Sequence, residues 1–255
     1  MLTSLQNEKV KLVHALQTQA KARRKESKIV LEGARLIGDA VKQGIVPDFI
    51  LYTSTASSDS LVSDLNSRGF SLISVSDDVM RHVSDTQQPQ GIVGVFPMPH
   101  PTLPEKPERV LILDAIRDPG NMGTLLRTAA GAGVQAVLLS PDCVDPYNPK
   151  TLRGGMGAHF RVPVVERPWS QIARYCQGMS IYVADSHGDI RYDEDNWSWA
   201  WALIIGSEAH GASEVAQHLA MARLYIPLAA ETESLNAAVA AGVILFEARR
   251  QTRLR

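Results

Sequence analysis

Three short blocks in the second half of the chain place polar side chains beside turns and helix starts, where proteins commonly bind small ligands. They are the segments 118–129, 206–211 and 226–240. Their charged candidates are Arg127 in the first block and Glu208 in the second. Helix starts expose unpaired N–H groups and the positive end of the helix dipole, which suits an anionic group. The blocks therefore predict a binding site for a polar or partly anionic ligand.

The first block is typical of a strand, a turn and the start of a helix. Pro119-Gly120 is a turn signal, and we predict Asn121 as the N-cap of a helix that runs to Ala132. Arg127 lies nearly two turns further along and is long enough to reach back toward the loop. An ordinary capped helix with a surface arginine explains this block equally well.

The second and third blocks have the same ambiguity. Gly206 would let a ligand or another loop approach the backbone closely, and Glu208 would accept a hydrogen bond from a ligand or from Arg127. We predict a helix from Ser234 to Gln251, with Ser234 and Asn236 as ligand-binding groups at its mouth. A strand-end turn and a well-packed terminal helix are the ordinary explanations.

The elements that must position these blocks alternate between helix and strand, which predicts an α/β fold. The proline-rich segment 98–107 cannot form a helix or a central strand, so we place a linker there. Residues 1–97 are predicted to form a small α/β sandwich, and residues 108–255 a mostly parallel sheet with helices on both faces. In such sheets the ligand binds beyond the carboxyl ends of the strands, where all three blocks lie.

Composition limits the class of protein. The 255 residues are 45% hydrophobic and contain two cysteines, which favours a folded protein in a reducing, cytoplasmic setting. We expect no secretory signal, no membrane span and no metal site. The net charge of −1 hides a basic first segment that suits RNA, although a solvated helix face explains it equally well.

The order and spacing of the three blocks resemble the motifs of the SpoU (TrmH-like) family of RNA 2′-O-ribose methyltransferases. The resemblance covers residues from about 108 to 250. The residues that match the three motifs are Asn121, Gly123, Arg127, Thr128 and Ala129; Gly206, Glu208 and Gly211; and Ile226, Pro227, Ser234, Leu235, Asn236 and Ala240. Ala230 departs from the glycine that is usual in the family.

This resemblance implies a deep trefoil knot, a homodimer formed through the C-terminal domain and S-adenosylmethionine as methyl donor. It implies a cofactor site made of Gly206, Ile226, Leu228, Ser234, Leu235 and Asn236. It also implies a catalytic group made of Asn121, Arg127, Glu208, Ser234 and Asn236. Arginine holds its proton too tightly to be a good base. We therefore expect Arg127 to bind the substrate phosphate and to stabilise the developing oxyanion, while Asn121 and Glu208 orient Arg127 or the ribose.

The first domain resembles the substrate-binding domain of the ribosomal-RNA branch, which is similar to RNA-binding ribosomal proteins. That resemblance gives weight to five basic residues as RNA contacts: Lys21, Arg23, Arg24, Lys25 and Arg35. The expected substrate is large-subunit ribosomal RNA.

Three alternatives remain. The first is a methyltransferase that acts on transfer RNA, and the second is a non-catalytic RNA-binding protein on the same fold. The third is a nucleotide-binding α/β enzyme with other chemistry. The sequence has neither a phosphate-loop lysine pattern nor a G-x-G-x-x-G motif after a strand, which disfavours the third.

Overall fold

The computed structural model describes residues 1–56, 60–229 and 233–253. The chain forms two compact units. The first contains Met1–His100 together with Tyr147–Phe160, and the second contains Pro101–Pro146 and Arg161–Arg255. Ala230, the departure from the family pattern, lies outside the described residues.

The first unit is built on a four-stranded sheet in the order β1-β4-β2-β3. β1 and β2 are each antiparallel to β4, and β2 is parallel to β3. The strands are β1 (Lys28–Glu32), β2 (Phe49–Tyr52), β3 (Leu72–Ser74) and β4 (Ile92–Pro97). The helices are α1 (Glu8–Thr18), α2 (Ala20–Glu26), α3 (Ala34–Lys42), α4 (Ser60–Ser67) and α5 (Asp77–Val83).

Alternating side chains of β1 enter two different cores, because successive residues of a strand point to opposite faces. Val30 packs with apolar residues of α1 and α5, whereas Ile29 and Leu31 pack with those of α3 and α4. Leu152, from the segment 147–160, belongs to the second of these cores. The sequence division placed that segment with residues 108–255, whereas its contacts place it in the first unit.

The second unit is built on a seven-stranded sheet in the order β7-β6-β5-β10-β8-β11-β9, and all six pairings are parallel. The prediction of a mostly parallel α/β sheet is therefore confirmed. Its strands are β5 (Arg109–Leu113), β6 (Ala136–Leu139), β7 (Val164–Glu166), β8 (Ser180–Ala184), β9 (Ile190–Arg191), β10 (Trp201–Ile205) and β11 (Ala222–Tyr225).

The remaining helices are α6 (Pro119–Ala132), α7 (Pro149–Gly155), α8 (Trp169–Tyr175), α9 (Glu214–Leu219) and α10 (Ala237–Arg253). α7 lies in the first unit and the other four in the second. Every residue of β10 is buried, as expected for a central parallel strand. No helix among the described residues is long and apolar enough to cross a membrane.

Two predicted helix starts are wrong by about three residues. α6 begins at Pro119, and its N-cap is Asp118 rather than Asn121. Proline is favoured at the first helical position because the N–H that it lacks has no intrahelical partner there. α10 begins at Ala237 rather than at Ser234.

Candidate functional site

A chain of side-chain hydrogen bonds joins one residue from each of the three sequence blocks. Asn236 Nδ2 donates to Asn121 Oδ1 at 3.1 Å, and Asn121 Nδ2 donates to Glu208 Oε1. Asn236 and Asn121 are 115 positions apart in the sequence, and Asn121 and Glu208 are 87 positions apart. Blocks that are distant in sequence therefore converge at one place in the second unit.

The start of α10 determines which side chain donates and which accepts in this series of hydrogen bonds. Asn236 Oδ1 accepts from the backbone N–H groups of Ala238 at 3.0 Å and Val239 at 3.3 Å. Its amide nitrogen must therefore face Asn121, whose own oxygen turns toward Asn236. Only the Asn121 nitrogen remains for Glu208, so the carboxylate acts as the acceptor at the end of the chain.

The start of α6 places Asn121 in position. Asp118 Oδ1 accepts from the Asn121 backbone N–H at 2.8 Å, so Asn121 stands in the first helical turn and not at the cap. Because its backbone N–H is already satisfied, its side chain can bridge Glu208 and Asn236.

Gly206 leaves room for the tight loop that carries Glu208. Residues 207–211 form a tight hairpin in which Ser207 N donates to Gly211 O at 2.9 Å and Gly211 N donates to Ser207 O at 2.8 Å. A Cβ at position 206 would collide with the backbone of Gly211 and Ala212. The sequence allowed a ligand or another loop as the reason for this glycine, whereas the structure shows the close return of the same loop at Gly211 and Ala212.

A cavity of about 480 Å³ lies at the carboxyl ends of β8, β10 and β11, beside the start of α10. The six residues predicted to bind the cofactor all line this cavity, namely Gly206, Ile226, Leu228, Ser234, Leu235 and Asn236. Glu208 lines it as well. The prediction that the ligand lies beyond the strand ends agrees with this placement, and its occupancy by a cofactor stays a proposal.

The sequence reasoning missed one wall of the cavity. Asp185, Ser186 and His187 follow β8 directly and line it. A polar triplet immediately after a buried strand, at the same sheet edge as the other blocks, was the signal available in the sequence.

A smaller cavity of about 210 Å³ lies at the ends of β5 and β10. Asp114 lines it, is 2% exposed, and accepts from Ser140 Oγ at 3.0 Å and from Ser213 N at 2.7 Å. Glu208 and His210 line both cavities. The hairpin 207–211 is thus a wall common to the two.

Arg127 lies on the exposed side of α6. It lines neither cavity and makes no hydrogen bond or ion pair with residues 1–56, 60–229 or 233–253. The expected contacts of Asn121 and Glu208 with Arg127 are therefore not present among the described residues.

The five predicted RNA contacts separate into different environments within the first unit. Lys21, Arg24 and Lys25 are exposed on α2, whereas Arg35 is exposed in the first turn of α3. These two sites flank the opposite ends of β1, whose five residues span about 16 Å.

Arg23 does not fit the RNA surface, because it is only 3% exposed. Its Nη1 donates to the carbonyl of Leu16 at 2.6 Å, at the end of α1. This arginine holds two helices together, so we leave it out of the RNA surface.

Burial makes both thiols poor nucleophiles. It raises the pKa of Cys143 to about 11 and that of Cys176 to about 12, so both stay protonated at neutral pH. Across the described ranges, no group of three or more His, Cys, Asp or Glu residues could hold a metal ion. The polar groups around the two cavities remain the candidates for chemistry.

Comparisons with known families match both parts of the chain. Residues 108–246 match the SpoU rRNA Methylase family, and residues 7–94 match the MRM3-like substrate binding domain.

Named relatives match most of the chain. It is 36% identical to the 23S rRNA (guanosine(2553)-2′-O)-methyltransferase RlmP of Bacillus subtilis, over 97% of this chain and 98% of that protein. It is 37% identical to the mitochondrial rRNA methyltransferase 3 of Mus musculus, over 91% of this chain and 70% of that protein.

A solved structure resembles the chain over nearly its whole length. The AdoMet-bound rRNA methyltransferase from Sinorhizobium meliloti has a TM-score of 0.85 at 30% identity, covering 98% of this chain and 97% of that one.

Proposed function

This chain belongs to the SpoU rRNA methylase family, and we propose that it transfers a methyl group from S-adenosylmethionine to a ribose 2′-OH of large-subunit ribosomal RNA. The observation that carries the proposal is the cavity of about 480 Å³, which Glu208 and Asn236 line while Asn121 joins them. A non-catalytic RNA-binding protein would have no use for this arrangement.

The residues of the larger cavity fit the methyl donor. Its volume lies in the range of about 300–1,000 Å³ that small-ligand sites occupy. Ile226, Leu228 and Leu235 offer apolar surface for a purine ring, while Ser234 and Asn236 offer hydrogen-bonding groups. When bound, the cofactor supplies a methyl group that its sulfonium charge already activates.

The chain's own residues would align the ribose hydroxyl and favour loss of its proton. Correct positioning of two reactants is worth up to about 7–11 kcal/mol of the barrier. We assign Arg127 to the substrate phosphate and the developing oxyanion. Its side chain is exposed and makes no hydrogen bond or ion pair with the described residues. The hydrogen bonds that join Asn236, Asn121 and Glu208 would hold the hairpin 207–211, the wall between the two cavities, in one conformation.

Ribosomal RNA is the substrate that the relatives favour. Both named relatives are described as rRNA methyltransferases, and the first unit matches a substrate-binding domain. A methyltransferase of transfer RNA has no comparable support here.

A labelling experiment tests this function. The protein is incubated with methyl-labelled S-adenosylmethionine and, separately, with protein-free 23S ribosomal RNA and bulk transfer RNA. We expect label in the ribosomal RNA, recovered after alkaline hydrolysis as a resistant dinucleotide, because a 2′-O-methyl group blocks cleavage at that linkage. Label in transfer RNA alone, or on a base, would contradict the proposal.

The basic face of α2 gives a second test, which concerns RNA binding. Replacing Lys21, Arg24 and Lys25 together with alanine is expected to weaken binding to ribosomal RNA and to flatten its dependence on salt. Each lost phosphate contact lowers the slope of log K against log salt by about 0.7–0.9, so the triple variant should lose about 2 units. Binding is measured by filter retention across a salt series.

Two single variants serve as comparisons for α2. Arg35→Ala, at the other end of β1, should lower the slope by less than 1 unit. Lys42→Ala removes an exposed charge of α3 that the RNA assignment does not use, and should leave the slope unchanged. An equal loss with Lys42→Ala would show a general charge effect and remove α2 from the assignment.

The dimer, the knot and the location are also proposals. Val239 and Phe246 are 52% and 50% exposed and lie two turns apart on α10, which supports a homodimer formed through this helix. The trefoil knot rests on the likeness to the family, and the linker at residues 98–107 rests on its prolines. A ribosomal RNA substrate and the two free cysteines fit a cytoplasmic enzyme.

A further inference from the structure

The loop after β8 is the part of the cofactor cavity that neither the family motifs nor the sequence analysis explains. Asp185 opens this loop, lines the cavity, and has a side chain that is 25% exposed. Its Oδ1 accepts from the backbone N–H of His187 at 2.8 Å, which closes a turn within the loop. A mostly buried carboxylate is therefore held in place at the wall of the cavity.

Neighbouring contacts brace this loop. Asp185 N donates to Leu224 O and Asp189 N donates to Arg223 O, each at 2.9 Å. A Cβ at Gly188 would lie 2.8 Å from the backbone of β11, so the loop packs directly on that strand. The Arg223 side chain also binds both carboxylate oxygens of Asp189, at 3.1 and 3.0 Å. Asp185 thus stands on a preorganised support.

The formal charges on the cavity wall have one sign. Among the described residues that line it, the carboxylates are Asp185 and Glu208, and there is no lysine or arginine. His187 and His210 also line the cavity and carry a charge only when protonated, and His187 Nδ1 lies 3.7 Å from Asp185 Oδ1. At the start of α10, the backbone N–H groups of Ala238 and Val239 are already bound to Asn236 Oδ1. This wall favours a ligand that carries positive charge.

We propose that Asp185 is a specificity-determining residue, which with Glu208 makes the cavity prefer the cationic methyl donor to its neutral product. The inference rests on the proposed function, since it takes S-adenosylmethionine as the ligand. That molecule carries a sulfonium, an ammonium and a carboxylate, so its net charge is +1. When the methyl group leaves, the sulfonium becomes a neutral thioether and the net charge of S-adenosylhomocysteine is zero.

Only the sulfonium distinguishes the two ligands electrostatically. The ammonium, the carboxylate and the ribose hydroxyls are common to both, so contacts with those groups, and with the start of α10, cancel in the ratio of the two dissociation constants. The carboxylates would attract the sulfonium charge, which only the methyl donor carries. The product would therefore bind more weakly and leave more readily after each turnover.

The test is calorimetric titration of the full chain, without RNA, with S-adenosylmethionine and with S-adenosylhomocysteine. Asp185→Asn keeps an oxygen that can accept from His187 N, so it removes the charge and preserves the turn. For this variant we expect the preference for the methyl donor to fall about threefold to tenfold, with product affinity nearly unchanged. Sinefungin, in which a carbon that bears a protonated amine replaces the methylated sulfonium, should follow the methyl donor.

Two further variants separate charge from structure. Glu214→Gln removes an exposed carboxylate of α9 that does not line the cavity, and should leave the ratio unchanged. Asp185→Glu keeps the charge on a longer side chain, and should retain most of the preference.

Two results would overturn the proposal. An equal loss of affinity for both ligands in Asp185→Asn would show that the carboxylate recognises a group they share. An unchanged ratio would show that it takes no part in selection. Because RNA is absent, neither result depends on which RNA is methylated; a failure of the proposed function would instead appear in the labelling experiment, with cofactor binding intact.

Discussion

Replacing Arg127 with alanine is expected to lower the rate of methyl transfer to ribosomal RNA by about 10²–10³-fold. This is the usual cost of removing one donor to a developing oxyanion, to which the loss of a phosphate contact adds. The affinity for S-adenosylmethionine should not change, because Arg127 does not line the cofactor cavity. Single-turnover rates with saturating cofactor measure the first quantity, and calorimetry measures the second.

The substitution Arg127→Lys refines this prediction. Lysine keeps the positive charge but lacks the planar fork that binds two oxygens together. We expect a rate of methyl transfer between those of the unaltered protein and Arg127→Ala. If arginine holds two oxygens of the phosphate, most of this loss should lie in the chemical step. Near-full turnover in Arg127→Lys would show that charge alone suffices and that the bidentate contact is not used.

Arg174 provides the matched control for Arg127. It is an exposed arginine in the last turn of α8, in the same unit, and it lines neither cavity. Arg174→Ala should retain the full rate. If Arg127→Ala stayed within threefold of the unaltered protein, its assignment to the oxyanion would fail, and a parallel loss of cofactor affinity would indicate a structural role.

The convergence of the three blocks could be predicted from the sequence because it follows from the architecture. Each block comes directly after a buried strand or opens a helix, and the carboxyl ends of parallel strands meet at one edge of a sheet. β5 and β8 both pair with β10 in parallel, so the carboxyl ends of these three strands lie at the same edge of the sheet. The six cofactor candidates themselves were implied by the family resemblance, and the strand order explains why they line one cavity.

The exact helix starts could not be predicted, because several residues in each block were chemically suitable. Asp118 and Asn121 are both good caps, and only the position of Pro119 decides between them. Ser234 and Asn236 offer the same choice at α10, where Asn236 accepts the free N–H groups. These differences of two or three residues decide which side chains are free to form the chain of hydrogen bonds.

Long-range packing was also invisible in the local pattern. Arg23 and Arg24 are neighbours of the same type, but the turn of α2 buries the first and exposes the second. Leu152 lies between strands of the second unit in sequence, although it packs in a core of the first unit. Such placements depend on residues far away in sequence, which periodicity does not report.

Replacing Gly206 with alanine is expected to cause the second large effect, through the position of the hairpin 207–211. The new Cβ would collide with the backbone of Gly211 and Ala212, which cannot rotate away as a flexible side chain would. The hairpin must move by about 1 Å or more, and misplacement on that scale can cost about 10²-fold in rate. We expect such a loss in methyl transfer, together with at least tenfold weaker binding of S-adenosylmethionine, which corresponds to about 1.4 kcal/mol.

Two other glycines separate the collision from the general effect of adding a methyl group. A Cβ at Gly242, within α10, would lie 3.7 Å from Thr128 Cγ2, an ordinary contact, so Gly242→Ala should keep full activity and stabilise the helix by up to about 1 kcal/mol. Gly211 has a φ of +67° and open space around it, so Gly211→Ala should cost about 1–2 kcal/mol of backbone strain without a collision. Far- and near-ultraviolet circular dichroism would show whether each variant is folded. A folded Gly206→Ala protein with unaltered cofactor affinity would mean that the hairpin is not the wall that holds the methyl donor, because the displacement would then have no consequence for the cavity.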